Sequence, residues 1–154
     1  MYSEDVKNLI IDLYDNGPIL MSKLGEEKRP IVEEAEKQGL VKIRKMNIRE
    51  VIYLTIKGLQ EVEKIKGIEH EVNVEEEISK LTQMEIKLLL RLLEGFKPVR
   101  KLLEEIGTRK YSPLQKLEQK GLIKSFKNRR RTLNYRIISL TVPGWIVAKK
   151  LAER

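Results

Sequence analysis

A chain of 154 residues, 41% of them hydrophobic, can bury one ordinary core or two small ones of roughly 70–80 residues each. It has no cysteine and one histidine, which excludes disulfides, thiol catalysis, Cys-ligated zinc and a His-rich metal site. Lys and Arg outnumber Asp and Glu by 31 to 23, a net +8 that invites a polyanionic partner, and a charged fraction of 35% is a surface habit of thermophile proteins.

Met1-Tyr2-Ser3 leads into the charged pair Glu4-Asp5, and no apolar run exceeds four residues. Neither a signal peptide nor a membrane span is expected, and the expected location is cytoplasmic, nucleoid-associated for an archaeal protein. In chain order, Ser3 is a predicted N-cap, with Glu4 and Asp5 in the first turn. Val6, Leu9, Ile10 and Leu13 follow at helical spacing, and Gly17-Pro18 stops the helix. A short helix is expected around Leu20 to Leu24, then a turn at Gly25. A third helix runs from about Pro30 to Gln38 with Ile31, Val32 and Ala35 inward, and Gly39 closes it. The period then shifts towards two over Leu40 to Met46 and Val51 to Thr55, a hairpin with residues 47–50 as its tip. A helix from Gly58 to Lys66 completes the unit.

The same order recurs. Thr82 to Glu85 reads as a capping box opening a helix to about Leu93, and Val99 to Glu105 as a short helix before Gly107. Ser112-Pro113 reads as the N-cap and first residue of a third helix ending at Gly121. Leu122 to Lys127 and Leu133 to Thr141 make a second hairpin, and a last helix covers Pro143 to Ala152. The recurrence is visible in the letters. Residues 24–40 align without gaps on 106–122 at an offset of 82, and Leu54-Thr55 with Gly58 matches Leu140-Thr141 with Gly144 at 86. Upstream, Lys7 to Pro18 aligns on Lys87 to Pro98 at 80. The expected fold class is mainly α with small β-hairpins, an α+β chain. Its expected domains are residues 1–68, a linker and helix approach at 69–80, and residues 81–154.

Both copies contain E-x-x-G-L-[VI]-K at the end of the third helix, Glu36 to Lys42 and Glu118 to Lys124. That phrase, in this order of elements, resembles the winged helix-turn-helix superfamily, broadly in the style of MarR- and ArsR-like regulators. The resemblance spans nearly the whole chain. It implies a third helix that enters the DNA major groove and a wing that touches backbone or minor groove.

Charge separates the copies. Residues 1–68 hold 12 basic and 12 acidic side chains; residues 69–154 hold 19 and 11. Lys97 to Arg136 alone carries 13 basic and 3 acidic residues. The third helix of copy one offers Glu33, Glu34 and Glu36, which phosphates repel. Copy two offers Arg109, Lys110, Ser112, Gln115, Lys116 and Gln119, donors suited to phosphates and base edges. Its wing carries Arg129, Arg130 and Arg131 at the tip, with Lys124, Lys127 and Arg136 beside them. Secondary backbone contacts are assigned to Lys42, Arg44, Lys45 and Arg49 of the first wing. Copy one is left for packing, for a protein partner or for homodimerisation.

Other residues invite less. His70 reads as an exposed linker histidine and Trp145 as a core or interface anchor. Tyr53 and Tyr135 read as half-buried packing residues. Tyr111 suits either a phosphate or sugar contact or helix packing. Glu75-Glu76-Glu77 reads as solvated acid at a helix approach. No P-loop, H-E-x-x-H or G-x-S-x-G motif is present, so neither enzymatic activity nor a cofactor nor a metal is expected. The expected function is double-stranded DNA binding by a transcriptional regulator of archaeal type. The alternative is a tandem winged-helix scaffold for protein–protein interaction in a transcription, replication or remodelling complex.

Overall fold

The computed structural model describes residues 2–127 and 136–154. The chain divides into two compact units, one holding residues up to Glu69, the other His70 to Phe126 together with 136–154. The fold is mixed, with helices and two three-stranded antiparallel sheets among the described residues.

In unit 1, α1 (Glu4–Asn16) is capped by Ser3, whose side chain accepts from the Val6 N–H. Its Val6, Leu9, Ile10 and Leu13 pack against Val32 and Ala35 of α3 (Arg29–Lys37) and Val62 of α4 (Ile56–Lys66). Between them lie β1 (Ile19–Leu20), the single turn α2 (Met21–Leu24), and the hairpin β2 (Val41–Met46) and β3 (Arg49–Leu54). The strand order is β1-β3-β2. Unit 2 follows the same plan after an extra helix α5 (Val74–Ser79): α6 (Gln83–Leu92), β4 (Lys97–Pro98), α7 (Val99–Ile106), α8 (Ser112–Gln119), β5 (Ile123–Lys127), β6 (Arg136–Leu140) and α9 (Val142–Ala152). Its sheet order is β4-β6-β5, and Leu88, Leu102, Leu117, Leu122 and Val147 form the centre of its core.

Five features correct or add to the sequence-based expectations. The first hairpin closes on two residues, Asn47 and Ile48, because Met46 already pairs with Arg49 and Lys45 with Glu50. Arg49 and Glu50 therefore belong to a strand and not to the tip. Ser112 is the first residue inside α8, preceded by Tyr111 at the cap with no side-chain cap bond. The linker and helix approach at 69–80 contains a helix: Asn73 caps α5, accepting from the Glu76 N–H, and Glu75 of its acidic first turn binds Arg154 at 2.6 Å. Each copy also has a two-residue strand before its second helix, which the letters do not announce. Finally, the offset of 80 that matches Pro18 with Pro98 is not the structural one. Ile19 pairs with Ile52 where Lys97 pairs with Ile138, so Ile19 and Lys97 match at 78. The four residues that restore register lengthen the second helix, eight residues in α7 against four in α2.

No helix among the described residues is long and apolar enough to cross a membrane.

Candidate nucleic-acid interface

Within each unit, the two segments that recur between the copies touch each other. In unit 2 the α8 chain reverses at Gly121, whose φ of +75° suits glycine. Leu122 O then accepts from the Thr141 N–H at 3.2 Å. The Thr141 hydroxyl donates to Gly121 O at 2.6 Å and accepts from the Gly144 N–H at 3.0 Å, capping α9. A β-carbon on Gly144 would lie 1.7 Å from Leu122 O, so only glycine lets α9 approach. Unit 1 repeats this at Gly39, Leu40, Thr55 and Gly58, with the Thr55 hydroxyl 2.6 Å from Gly39 O and a Gly58 β-carbon 2.2 Å from Leu40 O. Each third helix is thus pinned at its C-terminal end to the helix after the hairpin.

A second tie differs between the units: in unit 1 the Lys57 ammonium donates to Gln38 O at the end of α3 at 2.8 Å, and in unit 2 the tie runs to α6. Lys120, the C-cap of α8, places its ammonium 3.2 Å from Glu85 Oε2. Glu85 is 1% exposed and also completes the capping box with Thr82. Burial pushes the Glu85 carboxyl up, but the Thr82 N–H and the Lys120 ammonium outweigh it and hold the group below the ordinary glutamate range. A carboxylate with a lowered pKa stabilises the fold above its unfolded value and loses that contribution as pH falls through the folded one. Glu85→Gln should therefore lower unfolding stability by about 2–3 kcal/mol at neutral pH and flatten part of the acid limb. Urea unfolding followed at several pH values checks this; an unchanged acid limb would remove Glu85 from the account.

With α8 fixed at one end, its period sorts the side chains. Leu114 and Leu117 are buried; Ser112, Gln115, Lys116 and Gln119 are exposed and share one outward stripe, with Glu118 exposed at its margin. Arg109, Lys110 and Tyr111 are exposed just ahead of it, and Tyr111 at 59% is no packing residue. On the hairpin, Lys127 and Arg136 are exposed, and Arg136 donates to Ser125 Oγ at 3.2 Å. Lys124 is half-buried, its ammonium 4.8 Å from the Phe126 ring centroid. Arg129, Arg130, Arg131 and Tyr135 lie outside the described residues.

The structure also redistributes the counted charge. Lys97 is 9% exposed and paired with Glu105 at 3.1 Å, and Lys120 is committed to Glu85, so neither faces a ligand freely. Conversely, Arg100 and Lys101 are exposed on α7. Sequence reasoning counted them in the basic stretch without singling them out. Their solvent face was readable from the buried partners Leu102 and Leu103.

Unit 1 presents a different outward face. Glu33, Glu34, Glu36 and Lys37 are exposed on α3, with Glu33 and Glu34 where α8 has Gln115 and Lys116. Arg29, which matches Tyr111, is drawn into hydrogen bonds with Glu26 and Glu50 and holds both carboxyls below their usual range. On its hairpin Lys42, Lys45 and Arg49 are exposed and Arg44 is half-buried, its guanidinium 4.9 Å from the Tyr53 centroid.

Among the described residues no group of three or more His, Asp or Glu could hold a metal ion. A cavity beside α1 and α3, lined by Asp5, Asp12, Lys28 and Ile31 among others, measures 190 Å³, below the ~300 Å³ of ordinary ligand pockets. His70 is exposed, and Trp145 is half-buried against the unit 2 core. Comparison with family models and with curated proteins gives no match for the chain.

Proposed function

We propose that the chain is a double-stranded DNA-binding protein of two tandem winged helix-turn-helix units, a transcriptional regulator of archaeal type whose second unit reads the duplex. The observation that carries this reading is the outward stripe of α8, where Ser112, Gln115, Lys116 and Gln119 stand exposed behind Arg109, Lys110 and Tyr111. Gln is suited to adenine edges, Lys to guanine edges and phosphates, and Ser to either. Two ties anchor the C-terminal end of α8, which favours recognition over adaptable contact. Lys124, Lys127 and Arg136, with Arg129, Arg130 and Arg131 between them in sequence, supply the flanking phosphate or groove contacts. In a dimer, two such helices would require a pseudo-palindromic site.

A second reading, a protein-interaction scaffold, is favoured by one observation: the exposed carboxylates Glu33, Glu34 and Glu36 on α3. It applies to unit 1, which can take a protein partner or a second copy while unit 2 binds DNA.

Titrating a labelled duplex by anisotropy across roughly 50–200 mM salt tests the reading, with a slope of about −0.9 expected per phosphate contact. Arg109→Ala with Lys116→Ala should weaken binding and reduce that slope by about two. A binding constant indifferent to salt, or to these changes and to Ala at Arg129, Arg130 and Arg131, would leave the scaffold reading standing.

A further inference from the structure

Two copies of one plan allow a face that is covered in one to be compared with the same face in the other. Thr55 and Gly58 make the same cap as Thr141 and Gly144, so α4 and α9 align at an offset of 86. Lys64, Ile65 and the following Ile68 then match Lys150, Leu151 and Arg154. In unit 2, α5 packs on α9. Ile78 of α5 and Leu151 of α9 both lie against the unit 2 core. Glu75 binds Arg154, and Arg154 first and Lys150 second hold its carboxyl below the usual range. Just past α5, Lys80 O accepts from the Lys120 ammonium at 3.2 Å.

Unit 1 has no counterpart of α5 among the described residues, and the matching face is open. Ile65 is 44% and Ile68 37% exposed, two of the four exposed large apolar side chains among the described residues. The Lys64 side chain is 76% exposed and pairs loosely with Glu61 at 3.5 Å. The backbone beneath is fixed, because Gly67 ends α4 at φ +73° and the Ile68 N–H donates to Glu63 O.

We propose that this end of α4 is a docking site for a short amphipathic helix of a partner protein, aliphatic on its inner face and acidic in its first turn, as α5 is. Ile65 and Ile68 supply the apolar floor. Lys64 meets the acidic turn as Lys150 and Arg154 meet Glu75 in unit 2. The site goes beyond the DNA-binding reading and does not depend on it. A second copy of the chain is the rival occupant. It would offer the same lysine-bearing patch, and its own α5 is engaged with α9, so a separate acidic helix is the better match.

The probe is a synthetic peptide of residues 71–81 with blocked ends, titrated into the full isotope-labelled chain without DNA and followed by amide NMR. Shifts should saturate around residues 61–68 with a dissociation constant on the order of 1 mM or below. Ile65→Gln should weaken binding about tenfold, and Ile48→Gln, at the other strongly exposed isoleucine, should not. Lys64→Glu, at a side chain with no part in the core, should weaken it about as much. A peptide carrying Glu75→Lys, Glu76→Lys and Glu77→Lys should bind the parent poorly and regain affinity for Lys64→Glu, which a change in packing alone would not produce. Shifts confined to α9, shifts indifferent to Ile65→Gln and Lys64→Glu, or no saturation would overturn the site. A parent chain that dimerises in sedimentation while Ile65→Gln stays monomeric would assign the face to a second copy and overturn the partner helix. None of these outcomes turns on whether unit 2 binds duplex.

Discussion

Gln115→Glu combined with Lys116→Glu should weaken duplex binding by about a hundredfold near physiological salt while leaving the unfolding midpoint within about 0.5 kcal/mol of the parent. The two substitutions install on α8 the residues that α3 carries at the matching positions, Glu33 and Glu34. Both sites are exposed and opposite Leu114 and Leu117, so the core has no stake in them. The loss has two sources. One cation is removed from the phosphates, and two carboxylates are placed where the duplex potential is most negative. Anisotropy titration beside urea unfolding separates binding from stability. Full binding by the double variant would mean that α8 does not face the duplex.

The second large effect concerns folding. Alanine normally stabilises a helix interior over glycine by about 1 kcal/mol. Gly144→Ala in α9 should do the reverse and destabilise by about 3 kcal/mol or more, because its β-carbon would fall 1.7 Å from the Leu122 carbonyl oxygen, a backbone atom held by the Thr141 N–H. The chain has one tryptophan, Trp145, packed on the unit 2 core, so its fluorescence follows this unit. Gly58→Ala should damage unit 1 by the same contact with Leu40 O and leave the Trp145 transition largely in place. A gain in midpoint for either variant would show that the close approach is not a constraint.

These contacts explain why so much of the plan was legible. Gly-Leu-[Val/Ile]-Lys and Leu-Thr-x-x-Gly stand out as repeats because they are two halves of one junction, each fixed by the other. The heptad-like stripe of α1 and the capping box of α6 were legible for the usual local reasons, spacing and reciprocal hydrogen bonds. What escaped was non-local or very short. The two-residue strands have no period. Helix α5, six residues with three glutamates, is too brief to show an apolar period; Ile78 packs it on the unit 2 core, and Glu75 pairs with Arg154 from the far end of the chain. The start of α8 was misplaced by one residue because Ser-Pro is a common cap pair, whereas here Tyr111 already has helical backbone angles.

The candidate site was partly legible on the same terms. Helical period and charge sufficed to pick out the α8 stripe. They could not reveal that Lys97 and Lys120 are engaged inside the fold, since their partners Glu105 and Glu85 are chosen by tertiary packing, Glu85 from 35 residues away. Ile65 was passed over because its exposure gains meaning only beside the covered Leu151 of the other copy.

The Thr–Gly junction has a consequence for how such a chain can change. It couples the end of the third helix to the helix beyond the hairpin through backbone atoms, one hydroxyl and one absent side chain, and it involves none of the outward-facing positions. Architecture and outward chemistry are therefore written in separate residues. After duplication, one copy can drift to glutamate and the other to glutamine and lysine without either losing its frame. For an engineer, the outward face of α3 is a blank panel on a finished chassis, open to a second recognition surface of chosen sign.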